Sequence, residues 1–168
     1  ATVHAAKGGA ASTTTVDLSR TYLEWAGRNL ELNGIRGPNH QLIQADCLRW
    51  IDSMAGQRRF DLIFLDPPSF STSKRMHGTL DIQRDHVDII QATMRLLEPG
   101  GRLIFSNNLR RFRIDLEGLA PFEVSDISAQ TLPRDFARNP RIHNCWVIQH
   151  PESASNRRNG SDDEDRHA

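Results

Sequence analysis

The sequence predicts an α/β fold built on a mostly parallel sheet, and three observations predict it. Short β-branched or aliphatic runs alternate with stretches of helical apolar spacing, the pattern of strands joined by crossover helices. Three successive strand-like runs end in a carboxylate, at Asp17, Asp46 and Asp66. The third continues as Asp66-Pro67-Pro68-Ser69-Phe70, so an apolar strand stops at two residues that have no N–H.

The elements follow in order. Ala1 to Lys7 reads as a helical segment stopped by Gly8-Gly9. Thr13-Thr14-Thr15-Val16 is a β-branched strand that ends at Asp17. Ser19 is placed to cap a helix whose apolar face is Leu23, Ala26 and Leu30, ending at Asn33-Gly34. Gln41 to Ala45 is the next strand, ending at Asp46, and a short helix through Leu48 and Ile51 follows. Leu62 to Leu65 is too uniformly apolar for a half-exposed strand and predicts one buried on both faces. A polar loop from Ser69 to about Thr79 leads to Val87, Ile90, Met94 and Leu97 at helical spacing, broken by Glu98-Pro99-Gly100-Gly101. Leu103 to Ser106, Phe122 to Ile127 and Cys145 to Ile148 complete the strands.

Composition limits the function classes. The 168 residues are 38% hydrophobic and suffice for one domain with a core, here residues 1–151. No run approaches the roughly 20 apolar residues of a membrane span, and no secretory leader is visible. Two cysteines, Cys47 and Cys145, are too few for a disulfide framework or a four-ligand zinc site, and the seven histidines show no metal-ligand spacing. No metal is therefore expected, and a reducing cytoplasm is the expected compartment. The formal charge is zero, yet the 21 basic residues are Lys7, Lys74 and otherwise arginine, the better fork for phosphate. Residues 152–168 lack Leu, Ile and Val and carry Asp162-Asp163-Glu164-Asp165, which predicts a disordered acidic tail.

In a parallel sheet the chain leaves every strand at the same edge, so Asp17, Asp46 and Asp66 are expected to line one rim, where doubly wound sheets bind ligands. One acid after a strand is ordinarily a turn or helix cap. Three in order, the last followed by Pro-Pro, point to a site. At Asp66 and Pro67 the ladder must stop, leaving one carboxylate and two bare carbonyls.

These residues resemble a class I methyltransferase that uses S-adenosylmethionine. The resemblance implies that Asp17, followed by Leu18, holds the cofactor ribose, that Asp46 meets the adenine amino group, and that Cys47 offers its backbone N–H to the ring. Asp66-Pro67-Pro68 with Phe70 is similar to the family's Asp-Pro-Pro-aromatic motif, with Ser69 moving the aromatic one place later. That spacing resembles the bacterial 23S ribosomal RNA methyltransferases. Thr15-Val16-Asp17-Leu18-Ser19, Asp66 to Phe70 and Phe105-Ser106-Asn107-Asn108 match most closely the C-terminal, N7-guanine half of the bifunctional 23S rRNA guanine methyltransferases. The match runs from Ala1 to about Pro151. It implies a Rossmann-like sheet, with Asp66 and Pro67 catalytic, Asp66 also near the cofactor, and Pro68, Phe70 and Asn107 facing the RNA base.

One departure stands out. The family's first strand and Gly-rich loop come directly before the helix that here begins at Ala1, and Gly8-Gly9-Ala10 cannot replace them because it follows a helix rather than a strand. The sheet is therefore expected to be incomplete at the N-terminus, the chain a fragment, and the rest of the parent polypeptide a partner beside 23S rRNA. Methylation at guanine N7 needs no general base, because that lone pair lies in the ring plane; N2 would need its amine held by Asp66 and the Pro67 carbonyl. Cytosine C5 chemistry requires a cysteine nucleophile, and Ser106-Asn107-Asn108 stands where related enzymes carry one. The competing class is an inactive domain that binds RNA through Arg110, Arg111 and Arg113, three residues equally at home in a solvated loop.

Overall fold

The computed structural model describes residues 1–71, 79–136 and 138–151. The predicted acidic tail, and most of the polar loop after Phe70, lie outside the described residues. The elements in chain order are α1 (Thr2–Lys7), β1 (Thr13–Asp17), α2 (Arg20–Leu32), β2 (His40–Gln44), α3 (Cys47–Met54), β3 (Phe60–Leu65), β4 (Phe70–Ser71), β5 (Leu80–Asp81), α4 (Ile82–Met94), β6 (Leu97–Asn107), β7 (Glu123–Asp126), α5 (Ser128–Thr131) and β8 (Asn144–Gln149). They group into two compact units: Ala1–Arg58 with Pro68–Leu96, and Arg59–Pro67 with the chain from Leu97 onward.

In the first unit β1 and β2 pair in parallel, from Thr13 opposite His40 to Asp17 opposite Gln44. The Ser19 side chain caps α2 by accepting from the Tyr22 N–H, and Leu23 and Leu30 are its buried residues. The helix stops at Asn33, and Gly34 takes the left-handed turn with φ +70°. Asp81 caps α4, accepting from the Gln83 and Arg84 N–H groups. Ile82, His86, Ile89, Ile90, Thr93 and Met94 then recur three or four residues apart on its buried face.

The second unit is a four-stranded sheet in the order β3-β6-β8-β7. Leu103, Phe105 and Ile148 are wholly buried in it, and Phe105, Phe112 and Trp146 form a ring cluster with centroids 5.4 to 5.9 Å apart.

The expected parallel pairing is found in β1/β2 of the first unit and in β3/β6 of the second, where β8 inserts antiparallel between β6 and β7. Two expectations are corrected here. Leu97 is not the last helical turn but the start of β6, opposite Phe60. The Pro-Gly-Gly segment does not end the strand because it is absorbed as an irregularity, with a register shift between Phe60 and Leu62 and Gly100 at φ +79°. A Cβ on Gly101 would lie 2.9 Å from the Glu98 carbonyl and 3.1 Å from those of Phe60 and Asp61. Finally, β3 is not buried on both faces. Among the described residues it pairs with β6 alone, and Leu62 and Phe64 on one face are 54% and 50% exposed.

Candidate functional site

In the first unit two acids stand at the carboxyl ends of neighbouring parallel strands. Asp17 closes β1, and one of its carboxylate oxygens accepts from the Ser19 N–H at 2.7 Å. Asp46 follows β2 and caps α3, one oxygen accepting from the Leu48 and Arg49 N–H groups at 3.0 and 3.3 Å. In both carboxylates the second oxygen has no hydrogen-bond partner among the described residues. Both acids therefore serve as the turn and cap that a bland reading assigns them while each keeps one oxygen free for a ligand hydroxyl or amine. Leu18 lies between Asp17 and Ser19, half-buried, and its carbonyl accepts from the Gln44 side chain at 3.3 Å.

Cys47 opens α3, where backbone N–H groups lack intrahelical acceptors. Its thiol donates to the Val16 carbonyl at 3.3 Å, tying the start of α3 to β1. Burial, and then the charges of Asp17 and Asp46, push this thiol up to about 11. A thiol so raised is a poor nucleophile at neutral pH. Cys145 is buried in β8, and burial followed by the carboxylates of Asp66 and Asp126 raises it as well, against a lowering hydrogen bond from Thr131.

In the second unit Asp66 leaves the end of β3 exposed, with Pro67 half-buried behind it. The Ser106 hydroxyl, on β6, donates to an Asp66 oxygen at 2.7 Å. No described donor reaches the carbonyls of Asp66 and Pro67. The prolines that end the strand thus leave acceptors open, and Ser106 holds the carboxylate beside them. Sequence reasoning missed Ser106. The signal was available in the strand ends: Leu65 pairs with Phe105, so the next residue on each strand, Asp66 and Ser106, must be neighbours.

Asn107, expected to face the base, is instead wholly buried. Its side-chain oxygen accepts from the Leu109 N–H and from the Asn144 amide, both at 3.1 Å, because β6 ends here in register with Asn144. The Asn144 amide also donates to the Leu109 carbonyl at 3.0 Å, while the Asn107 amide nitrogen has no partner among the described residues. Asn107 therefore orders the turn after β6.

Pro68 and Phe70 belong to the first unit. Phe70 is held by a short antiparallel ribbon, β4 with β5, in which it faces Asp81, and the Ile82 N–H donates to the Ser69 carbonyl at 3.1 Å. The ribbon was missed because a two-residue strand has no periodicity to read. Its effect is to present the Phe70 ring 60% exposed on a fixed backbone.

No family model matches the chain. It is homologous to a segment of the proteins called ribosomal RNA large subunit methyltransferase K/L. With that of Syntrophotalea carbinolica it shares 62% identity over 148 residues, 88% of this chain and 20% of the relative. With that of Methylococcus capsulatus it shares 61% over 153 residues, 90% of this chain and 21% of the relative. The chain thus spans about a fifth of the length of these curated relatives. Among solved structures it matches a SAM-dependent methyltransferase from Agrobacterium tumefaciens with TM-score 0.65 at 16% identity, over 86% of this chain and 50% of the other. A ribosomal protein L11 methylase from Lactobacillus delbrueckii subsp. bulgaricus matches with TM-score 0.61 at 20% identity, over 90% and 64%. The α/β fold matches the folds of these two solved structures.

Proposed function

We propose that this chain is part of an enzyme that methylates a guanine of 23S ribosomal RNA, at N7 in preference to N2, with S-adenosylmethionine as the donor. The observation that carries this reading is the identity of 61 to 62% with the K/L proteins over 88 to 90% of this chain. The geometry supports it at each end of the reaction.

The free oxygens of Asp17 and Asp46 suit the ribose and the adenine amino group of the cofactor, and the Cys47 N–H suits an adenine ring nitrogen. The cofactor supplies a methyl group on a sulfonium, and transfer is an in-line displacement whose main demand is alignment. Asp66, held by Ser106, orients the base, and the Pro67 carbonyl adds a second acceptor. Neither has to remove a proton for reaction at N7. Phe70 offers an exposed ring on which a flipped base stacks, Pro68 flanks it, and Asn107 acts on the substrate only through the turn it orders. Both thiols are raised, which disfavours either as the nucleophile that cytosine C5 chemistry needs.

The test is a chimaera in which this chain replaces the matched residues of the Syntrophotalea carbinolica relative, incubated with S-adenosylmethionine and a 23S rRNA transcript. Nucleoside mass spectrometry and borohydride-aniline cleavage should reveal 7-methylguanosine. Methyl found only on guanine N2 would overturn the choice of atom, and methyl on cytosine or on no base would overturn the function.

A further inference from the structure

Arginine is the dominant cation of this chain, and most of it has no part in the site described above. Three arginines are brought together by the second unit. Arg110 and Arg111 follow β6, Arg141 lies in the 3₁₀ turn Pro140–Ile142 that leads into β8, and with Asn139 they line a cleft of about 210 Å³. All four residues are exposed, and among the described residues no carboxylate pairs with the three guanidinium groups. Three cations facing one small cleft repel one another, an arrangement that an anion relieves.

The cleft is held open by the fold. On one side of Arg110 and Arg111 the Asn107 and Asn144 amides grip both the N–H and the carbonyl of Leu109. On the other side Phe112 is 9% exposed, its ring packed on Phe105 and Trp146 and its N–H donating to the Leu109 carbonyl at 2.9 Å. Across the cleft the Asn139 N–H donates to the Phe136 carbonyl at 2.8 Å, and the Ile142 N–H to the Asn139 carbonyl at 3.3 Å, which fixes the turn carrying Arg141. The backbone on both sides is thus arranged before any ligand arrives, which lowers the cost of binding.

We infer that Arg110, Arg111 and Arg141, with Asn139, form a cradle for the phosphodiester backbone of the RNA. This rests on the proposed RNA substrate and deepens it. Guanidinium groups are planar forks that match phosphate oxygens, and the Asn139 amide adds a neutral donor. Phosphate contacts of this kind position a nucleic acid without reading its bases. Arg113, two residues on, is outside the cleft lining, so the fold divides the arginine cluster that the sequence presents as one.

The test uses the chimaera described above, with fluorescence anisotropy of a labelled 23S rRNA transcript across a salt series. Changing Arg110, Arg111 and Arg141 together to Gln should weaken binding at 0.15 M salt by about tenfold and reduce the slope of log affinity against log salt by about two, given roughly 0.7 per phosphate contact on a single strand. The transcript KM should rise while kcat and S-adenosylmethionine affinity stay within about twofold, and the control Arg20→Gln should change nothing. An unchanged slope and affinity in the triple variant, with methylation intact, would overturn the cradle and leave the proposed reaction standing. A parent that transfers no methyl, yet loses RNA affinity in the triple variant, would support the cradle and count against the reaction.

Discussion

The hydroxyl of Ser106, a residue only 4% exposed, donates at 2.7 Å to the carboxylate of Asp66, which is exposed at the end of the adjacent parallel strand. A buried donor thereby fixes the direction of an exposed acid beside two carbonyls that no described donor reaches. Ser106→Ala removes that donor without opening a large cavity. Because Asp66 is open to water, the roughly 1.5 kcal/mol at the lower end of the range for a hydrogen bond to a charged group is reduced by screening to about 1 kcal/mol. We expect kcat for RNA methylation to fall roughly five- to tenfold, with cofactor affinity changed less than twofold. Steady-state kinetics on the chimaera provide the check, and an unchanged kcat would remove Ser106 from the site.

Asp17→Ala should weaken S-adenosylmethionine binding by roughly 1.5 to 3 kcal/mol, because a charge-assisted acceptor for the ribose is lost. Asp17→Asn separates the two tasks of this residue. An asparagine oxygen can still accept from the Ser19 N–H, so the melting temperature should be kept while affinity falls. Isothermal titration on both variants measures this, and equal affinity in parent and Ala variant would refute the assignment.

Neither thiol should be required. Cys47→Ser and Cys145→Ala are expected to keep at least about a tenth of the parent rate, whereas removal of a covalent nucleophile would abolish it. Mass spectrometry that detects a protein-RNA adduct through either cysteine would reverse this conclusion.

The raised Cys47 thiol also carries a pH dependence. Its ordinary value is 9.0 and the fold moves it to about 11, by burial first and by Asp17 and Asp46 next. The folded state therefore favours the neutral thiol. The associated stability is complete below pH 9 and is lost as pH rises through about 11. Alkylation by iodoacetamide should follow a midpoint well above 9, and Asp46→Asn should lower it. A midpoint at or below 9 would show that Cys47 is not buried as described.

The 168-residue chain by itself should associate. Among the described residues β3 pairs through one edge only, and Leu62 and Phe64 stand half exposed along one face of it. Phe64→Lys should reduce concentration-dependent association in sedimentation velocity. A monomer at all concentrations would contradict this expectation.

The local elements could be read from the chain because their causes are local. Ser19 and the Leu23/Leu30 spacing make α2, the threonine run makes β1, and the acids at 17, 46 and 66 end strands because a cap, a turn or a proline stops each ladder there. The Asp-Pro-Pro motif and the family resemblance were legible for the same reason: both lie in consecutive residues. What only the tertiary structure decided depends on groups far apart in sequence. Ser106 reaches Asp66 because β6 lies in register beside β3; Asn107 turns inward because Asn144 returns opposite it on β8; Arg141 joins Arg110 and Arg111 because the turn before β8 comes back to the turn after β6. The exposure of Leu62 and Phe64 could not be read from their apolar character either, since burial depends on which strands and helices cover a residue and not on the residue itself.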